Sequence, residues 1–217
     1  MLYQHLVHLR EDTVAGIGPW VWARTDVHAW IGPKRDWEDG HRQKIMDLVP
    51  EKHTVVQAGG NMGMYPRLLS DIFSRVYTFE PDPVNFHCLV ANCQRENIVK
   101  INAALGYKHE MVRVSTDPFN DWDTNYGVRT VFPDPGRANV PTLRIDDLGL
   151  DRCDLIMLDV EGHELKSLKG AVETIESFKP VIFAEHHAVH ESPEPFLKSF
   201  GYDLVAYSFH DLIFAAK

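Results

Sequence analysis

Cysteine and positive charge are both scarce in this sequence. Only three cysteines occur in 217 residues: Cys88, Cys93 and Cys153. The number is odd and no pair has the short spacing of a metal finger, which excludes a disulfide-stapled scaffold and a zinc-finger module. Cys88 and Cys93 stand five apart in a helical pattern and share no face, so buried thiols are expected. Lysine and arginine number 22 against 31 acids, a net charge of −9. An acidic chain gains no long-range attraction to a phosphate backbone, which disfavours nucleic acid as a partner. No apolar run approaches the ~18 residues that cross a bilayer, so no membrane partner is expected. The start, "MLYQHLVHLRED", lacks the basic residues and apolar block of a signal peptide, so the expected location is cytoplasmic. Internal repeats, low-complexity tracts and a clear interdomain linker are also missing. So are the spacings GxGxxG and GxxxxGK[ST].

What is present suits an ordinary globular protein. Apolar residues make up 44% and charged residues 24%. The length allows one large domain, or one domain with an extension. Residues 1–52 differ from the rest and hold four of the five tryptophans: Trp20, Trp22, Trp30 and Trp37. Short strands and turns are expected over "AGIGPWVWARTDVHAWIGP", then a helix ending near Pro50. We read residues 1–52 as an N-terminal extension packed on the core, and 53–217 as the main domain.

From residue 54 strands and helices alternate. "TVVQA", "RVYTFE", "VKINAAL", "MVRVST", "DLIMLDV" and "PVIFAEHH" read as strands. "MYPRLLSDIF", "DPVNFHCLVANCQREN", "HELKSLKGAVETIES" and "SPEPFLKSFG" read as helices, with Asp82 as an N-cap and Pro83 in the first turn. "YDLVAYS" and "DLIFAA" read as a closing antiparallel pair. The alternation predicts an α/β fold with a mostly parallel sheet covered on both faces. Residues 115–140, rich in Pro, Gly, Asp and Asn, read as a long loop that acts as a lid or binds substrate.

In such a sheet, ligands bind beyond the carboxyl ends of the strands. The first main strand ends in Gly59-Gly60-Asn61-Met62-Gly63, a tight turn feeding a helix N-terminus. The second ends in Glu80, 17 residues after Gly63 and placed to accept hydrogen bonds from two ribose hydroxyls. Together they predict a nucleoside-bearing cofactor. A later strand ends in "DVEGHE", bringing Asp159, Glu161 and Glu164 to one turn. Its alternative reading is a helix N-cap at Asp159 with acids in the first turn. The next strand ends in Glu185-His186-His187. If the two strands are neighbours, Asp159, Glu161, Glu185 and His186 form an acid–base group or a hard-cation site.

The blocks "VVQAGGNMGMY", "VYTFEPDPVNFHCLVAN", "INAALG", "VPTLRIDDL" and "DLIMLDVEGHELKSLKGA" resemble, in order, those of the FkbM-type methyltransferases. The resemblance spans residues 53 to 215. It implies the class I Rossmann-like methyltransferase fold and S-adenosylmethionine as cofactor. It puts Gly59, Gly60, Asn61 and Gly63 under the methionine part, Glu80 on the ribose, and Asn102 and Ala103 near the adenine. Asp159 falls at the methionine end or the reacting group. Gln57 stands where the family usually has Asp. A neutral partner for the cofactor's ammonium would lower affinity by on the order of 1 kcal/mol.

The expected activity is therefore methyl transfer, most simply O-methylation of a small molecule or sugar. His186 is the favoured base, with Asp159 or Glu185 as alternatives. A divalent cation is compatible with these residues but not required by them, and no metal ligand is assigned. The rival readings are a nicotinamide-dependent oxidoreductase and a cofactor-binding module without catalysis. Acceptor and oligomeric state stay open.

Overall fold

A computed structural model describes residues 7–10, 20–23, 35–116, 127–134, 136–208 and 210–217. Trp30, the Trp37 side chain and residues 117–126 lie outside the described residues. The chain begins with a hairpin of β1 (Val7–Arg10) and β2 (Trp20–Ala23), then helix α1 (Arg35–Leu48). There follow β3 (Thr54–Ala58), α2 (Met64–Ser70), β4 (Arg75–Phe79), α3 (Pro83–Asn92) and β5 (Ile98–Ile101). A second group comprises β6 (Ala104–Leu105), β7 (Met111–Thr116), β8 (Arg129–Phe132) and β9 (Val140–Leu143). The last part runs β10 (Leu155–Leu158), α4 (Glu164–Lys169), α5 (Val172–Phe178), β11 (Val181–Glu185), α6 (Glu194–Ser199), β12 (Tyr202–Ser208) and β13 (Asp211–Ala216). Among the described residues no helix is long and apolar enough to cross a membrane.

The main sheet has seven strands in the order β12-β13-β11-β10-β3-β4-β5. The five strands from β11 to β5 are parallel, and β13 runs antiparallel between β11 and β12. Apolar residues occupy both parities of the central strands because both faces are covered. Val56, Ala58, Ile156, Leu158 and Ile182 pack with Leu168, Ile175 and Leu197 from α4, α5 and α6. Val55, Val76, Leu155, Met157 and Phe183 pack with Ile45, Leu69 and Leu89 from α1, α2 and α3. Each such Val, Leu, Ile, Phe or Met side chain contributes roughly 1.5–3 kcal/mol when fully buried. From β3 the chain runs outward to β4 and β5, then returns to β10 on the other side. That reversal opens a crevice at the carboxyl ends of β3, β4 and β10.

Three local expectations change. "VKINAAL" breaks after Ile101, so that β6 joins a separate four-stranded sheet, β6-β9-β7-β8. Part of the segment 115–140 is not loop, because β8 pairs antiparallel with β7 and buries Val131 beside Val112, Val114 and Val140. "HELKSLKGAVETIES" is two helices, not one. A Cβ on Gly170 would lie 2.0 Å from the Gly106 carbonyl oxygen, so the chain must break there to let that backbone approach. Asp146 then caps the new helix, accepting the Thr174 N–H at 2.9 Å. Asp82 caps α3 as expected, accepting from Val84 and Asn85, with Pro83 in the first turn. Cys88, Cys93 and Cys153 are buried and none forms a disulfide among the described residues.

The β1–β2 hairpin meets the rest of the fold at the glycine turn. Asn92 of α3 accepts the Val21 N–H at 2.8 Å. Its amide donates to the Val21 carbonyl at 2.8 Å and to the Met62 carbonyl at 2.7 Å. Trp22 and Ala23 pack on Met62 and Cys88, while the Arg67 guanidinium lies 4.6 Å over the Trp20 ring.

Candidate active site

The turn after β3 is built from backbone. The N–H groups of Gly59 and Gly60 both donate to the Phe79 carbonyl, at 3.1 and 2.9 Å. This ties the turn to the end of β4. Gly59 sits at φ +81°, and a Cβ there would come within 1.8 Å of the Asp159 carbonyl oxygen. Asn61 is left-handed at φ 45°, a conformation that asparagine tolerates better than most residues. Its N–H donates to Glu80 Oε2 at 2.7 Å. Its own side-chain oxygen is buried with no partner. An unpaired acceptor in the floor of a glycine turn suits a ligand that brings a donor.

Glu80 is 3% exposed. Besides Asn61 it accepts the Asp82 N–H at 2.8 Å on Oε1. Burial, the largest cause, pushes its carboxyl up to about 8, against the pull of those two N–H groups. The Asn85 side chain hydrogen-bonds the same carboxyl, which leaves acceptor capacity for one further donor. Asn102 is exposed and donates to the carbonyls of Glu80 and Pro81 at 2.8 and 3.1 Å, fixing the backbone around the acid. Ala103, buried beside it, belongs to the main core. Gln57 is fully buried and turned inward. Its Oε1 accepts the Thr78 hydroxyl at 2.6 Å, and its amide donates to the Ala58 carbonyl at 3.1 Å.

Across the turn stand the acids. The Asp159 N–H donates to the Ala58 carbonyl at 3.1 Å, so the end of β10 abuts the glycine turn. Asp159 caps no helix, because α4 starts at Glu164 with His163 in the cap position. The intervening turn passes through Glu161 and Gly162 at φ 52° and 91°. Buried Glu164 holds that turn, accepting the N–H groups of Val160 and Gly162 at 3.1 and 3.2 Å. β11 lies beside β10 and brings Glu185 against Asp159. Burial, then the charge of Glu185, raises the Asp159 carboxyl well above the usual range. Burial likewise pushes Glu161 and Glu185 up to about 7. Among the described residues no lysine or arginine pairs with Asp159, Glu161, Glu164 or Glu185.

The imidazole that meets Glu185 is His187, with Nε2 3.2 Å from Oε1. Sequence reasoning favoured His186, whose backbone N–H donates to the His210 carbonyl. The missed signal was parity: in extended chain residues 185 and 187 share a side and 186 does not. Equally unforeseen was β8. Arg129 Nε lies 3.6 Å from Asp82 Oδ2, and the Thr130 hydroxyl donates to the Glu161 carbonyl at 3.4 Å. The second sheet thus touches both the Glu80 side and the acid side of the crevice.

The geometry agrees with what the chain is similar to. A family model described as "Methyltransferase FkbM domain" matches residues 61–213. "Methyltransferase 1" of Beauveria bassiana is 26% identical over 176 residues, covering 66% of this chain and 71% of that protein. "Hexuronic acid methyltransferase AglP" of Haloferax volcanii is 27% identical over 149 residues, covering 67% of this chain. This chain spans 61% of the Haloferax protein's length. Among solved structures, methyltransferase FkbM of Methylobacillus flagellatus superposes with TM-score 0.53 at 21% identity, over 78% of this chain and 45% of that one. A T. thermophilus 16S rRNA methyltransferase, solved with AdoMet and guanosine, gives TM-score 0.54 at 13% identity, over 98% of this chain and 51% of that one. The last two likenesses speak for the fold, the Rossmann-like methyltransferase architecture. With its model matched over more than half of the sequence, the chain belongs to the FkbM methyltransferase domain family.

Proposed function

We propose that this domain transfers a methyl group from S-adenosylmethionine to an oxygen of a small-molecule or sugar acceptor. One observation carries the reading. Gly59 joins a cradle for a nucleoside, formed by Asn61 and Glu80, to the acid group headed by Asp159, in direct backbone contact. The donor set fits the cofactor. Glu80 keeps acceptor capacity for a ribose hydroxyl, and the unpaired Asn61 Oδ1 awaits a donor. Gly59, Gly60 and Gly63 let the turn pack closely on Asp159, Leu89 and Cys93, where a Cβ would collide, and Asn102 and Ala103 flank the end of β5. Gln57 supports the turn from beneath.

Bound there, the cofactor supplies an electrophilic methyl on a sulfonium; the acceptor oxygen gains the carbon and the sulfur keeps the electron pair of the broken bond. The chain's part is alignment and proton removal. In its ionised form Asp159, at the junction, takes the hydroxyl proton, while Glu161 and Glu185 hold and polarise the acceptor. The hexuronic acid named for the Haloferax relative supports a sugar acceptor. The second sheet, whose Thr130 touches Glu161, then walls the acceptor side.

Calorimetric titration with S-adenosylhomocysteine and with NAD tests the cofactor. The first should bind and the second should not. Glu80→Ala should lower S-adenosylhomocysteine affinity at least tenfold; undiminished affinity would remove Glu80 from the site. Labelled methyl transfer to a panel of sugars and uronic acids tests the acceptor class.

A further inference from the structure

We propose that Glu161, Glu185 and His187 bind one first-row divalent cation at the acceptor side of the crevice. The three come from different places: the turn before α4, the end of β11 and the residue two beyond it. One ligand atom from each lies within 4.8 Å of the others. Carboxylate oxygens and imidazole nitrogens sit about 2.0–2.2 Å from such ions, so neighbouring ligands are about 3–3.6 Å apart. The His187 Nε2–Glu185 Oε1 pair, at 3.2 Å, already has that spacing, and Glu161 closes in to complete the set. This is a mixed oxygen and nitrogen cluster, not an acidic patch alone. Two further observations point to a missing positive charge. Glu185 Oε2 is buried and accepts from no N–H, while the Glu185 and Asp159 carboxyls abut closely enough to share a proton. Four carboxylates (Asp159, Glu161, Glu164 and Glu185) meet here, and among the described residues none pairs with lysine or arginine. Like charges so gathered repel unless protonated or neutralised.

Two carboxylates and one imidazole suit Mn2+ and its neighbours better than Ca2+, which prefers oxygen alone. Three protein ligands leave positions open for water or an acceptor oxygen. If the methyl-transfer reading holds, a hydroxyl bound there is acidified and lies beside Asp159, which takes its proton. The acceptor would then be a molecule with adjacent oxygens, such as a diol or hydroxy acid, able to occupy two positions. That last step rests on the methyl-transfer reading, whereas cation binding does not.

The test uses the full chain, stripped with EDTA and titrated with Mn2+ by electron paramagnetic resonance. S-adenosylhomocysteine is titrated into the same samples. One saturable Mn2+ per chain is expected, weakened at least tenfold by Glu185→Gln and by His187→Ala. His53→Ala, at a surface pair elsewhere, should leave it unchanged. The His187 side chain is 36% exposed, so its variant should keep the fold even if Glu185→Gln does not. No saturable site, or a site indifferent to both variants, overturns the cation proposal. If S-adenosylhomocysteine still binds in that case, the methyltransferase reading survives. Specific Mn2+ binding without S-adenosylhomocysteine binding has the opposite meaning.

Discussion

Gln57 shows how much a single position depends on where its side chain points. Its sequence position invites an ammonium contact. In the fold its amide is buried and serves Thr78 and the Ala58 carbonyl. Gln57→Leu should therefore cost stability, about 1–3 kcal/mol, by leaving the Thr78 hydroxyl without its acceptor. The double variant Gln57→Leu/Thr78→Val should recover most of that loss, since both polar partners are then gone. S-adenosylhomocysteine affinity should change less than threefold in both. Urea unfolding and calorimetry measure the two quantities, and a large affinity loss with unchanged stability would put Gln57 on the cofactor instead. Glu80 stands out in the sequence as a strand-end acid after a glycine turn, and the fold buries it against that turn. The choice between His186 and His187 was open to parity but decided by where β11 stops.

At the scale of elements, the strands were the easiest to read. "TVVQA", "DLIML" and "VIFA" are apolar at both parities, and only a sheet covered on both faces buries such runs. The broken helix was not legible, because its cause is a contact between Gly170 and Gly106, 64 residues apart in sequence. β8 was hidden in the same way: its pairing with β7 is a tertiary fact, and its flanks look like loop. The turn after β3 gives a controlled comparison. Gly59 and Gly201 both sit at φ +81°, but a Cβ on Gly59 meets the Asp159 carbonyl at 1.8 Å while one on Gly201 meets nothing within 4 Å. Gly201→Ala should thus cost only the left-handed strain, about 1–2 kcal/mol. Gly59→Ala adds a collision of two backbones and should lose substantially more, with S-adenosylhomocysteine binding abolished. Equal losses from chemical unfolding would mean that the contact with Asp159 relaxes freely.

Over the whole molecule, the doubly covered sheet collects acids at the carboxyl ends of its central strands, in a chain already at −9. Long-range consequences of that kind need the strand order, which alternation alone leaves undetermined. Glu80 gives the cleanest consequence. An exposed glutamate carboxyl in the unfolded chain titrates near 4.5, whereas burial in the fold pushes Glu80 up to about 8. Between these values the folded state holds a proton that the unfolded state has released. Its contribution to stability is therefore complete below about pH 4.5 and is lost as pH rises towards 8, by up to about 1.4 kcal/mol per pH unit. Melting temperatures of the cofactor-free protein should fall from pH 5.5 to 7.5, and the fall should be shallower in Glu80→Gln. Ribose hydroxyls donating to Glu80 favour its ionised form, so S-adenosylhomocysteine should bind with proton release. Calorimetry in buffers of different ionisation enthalpy measures that release directly. Parallel melting slopes in the two proteins, together with no proton release, would show that Glu80 is already ionised in the empty site.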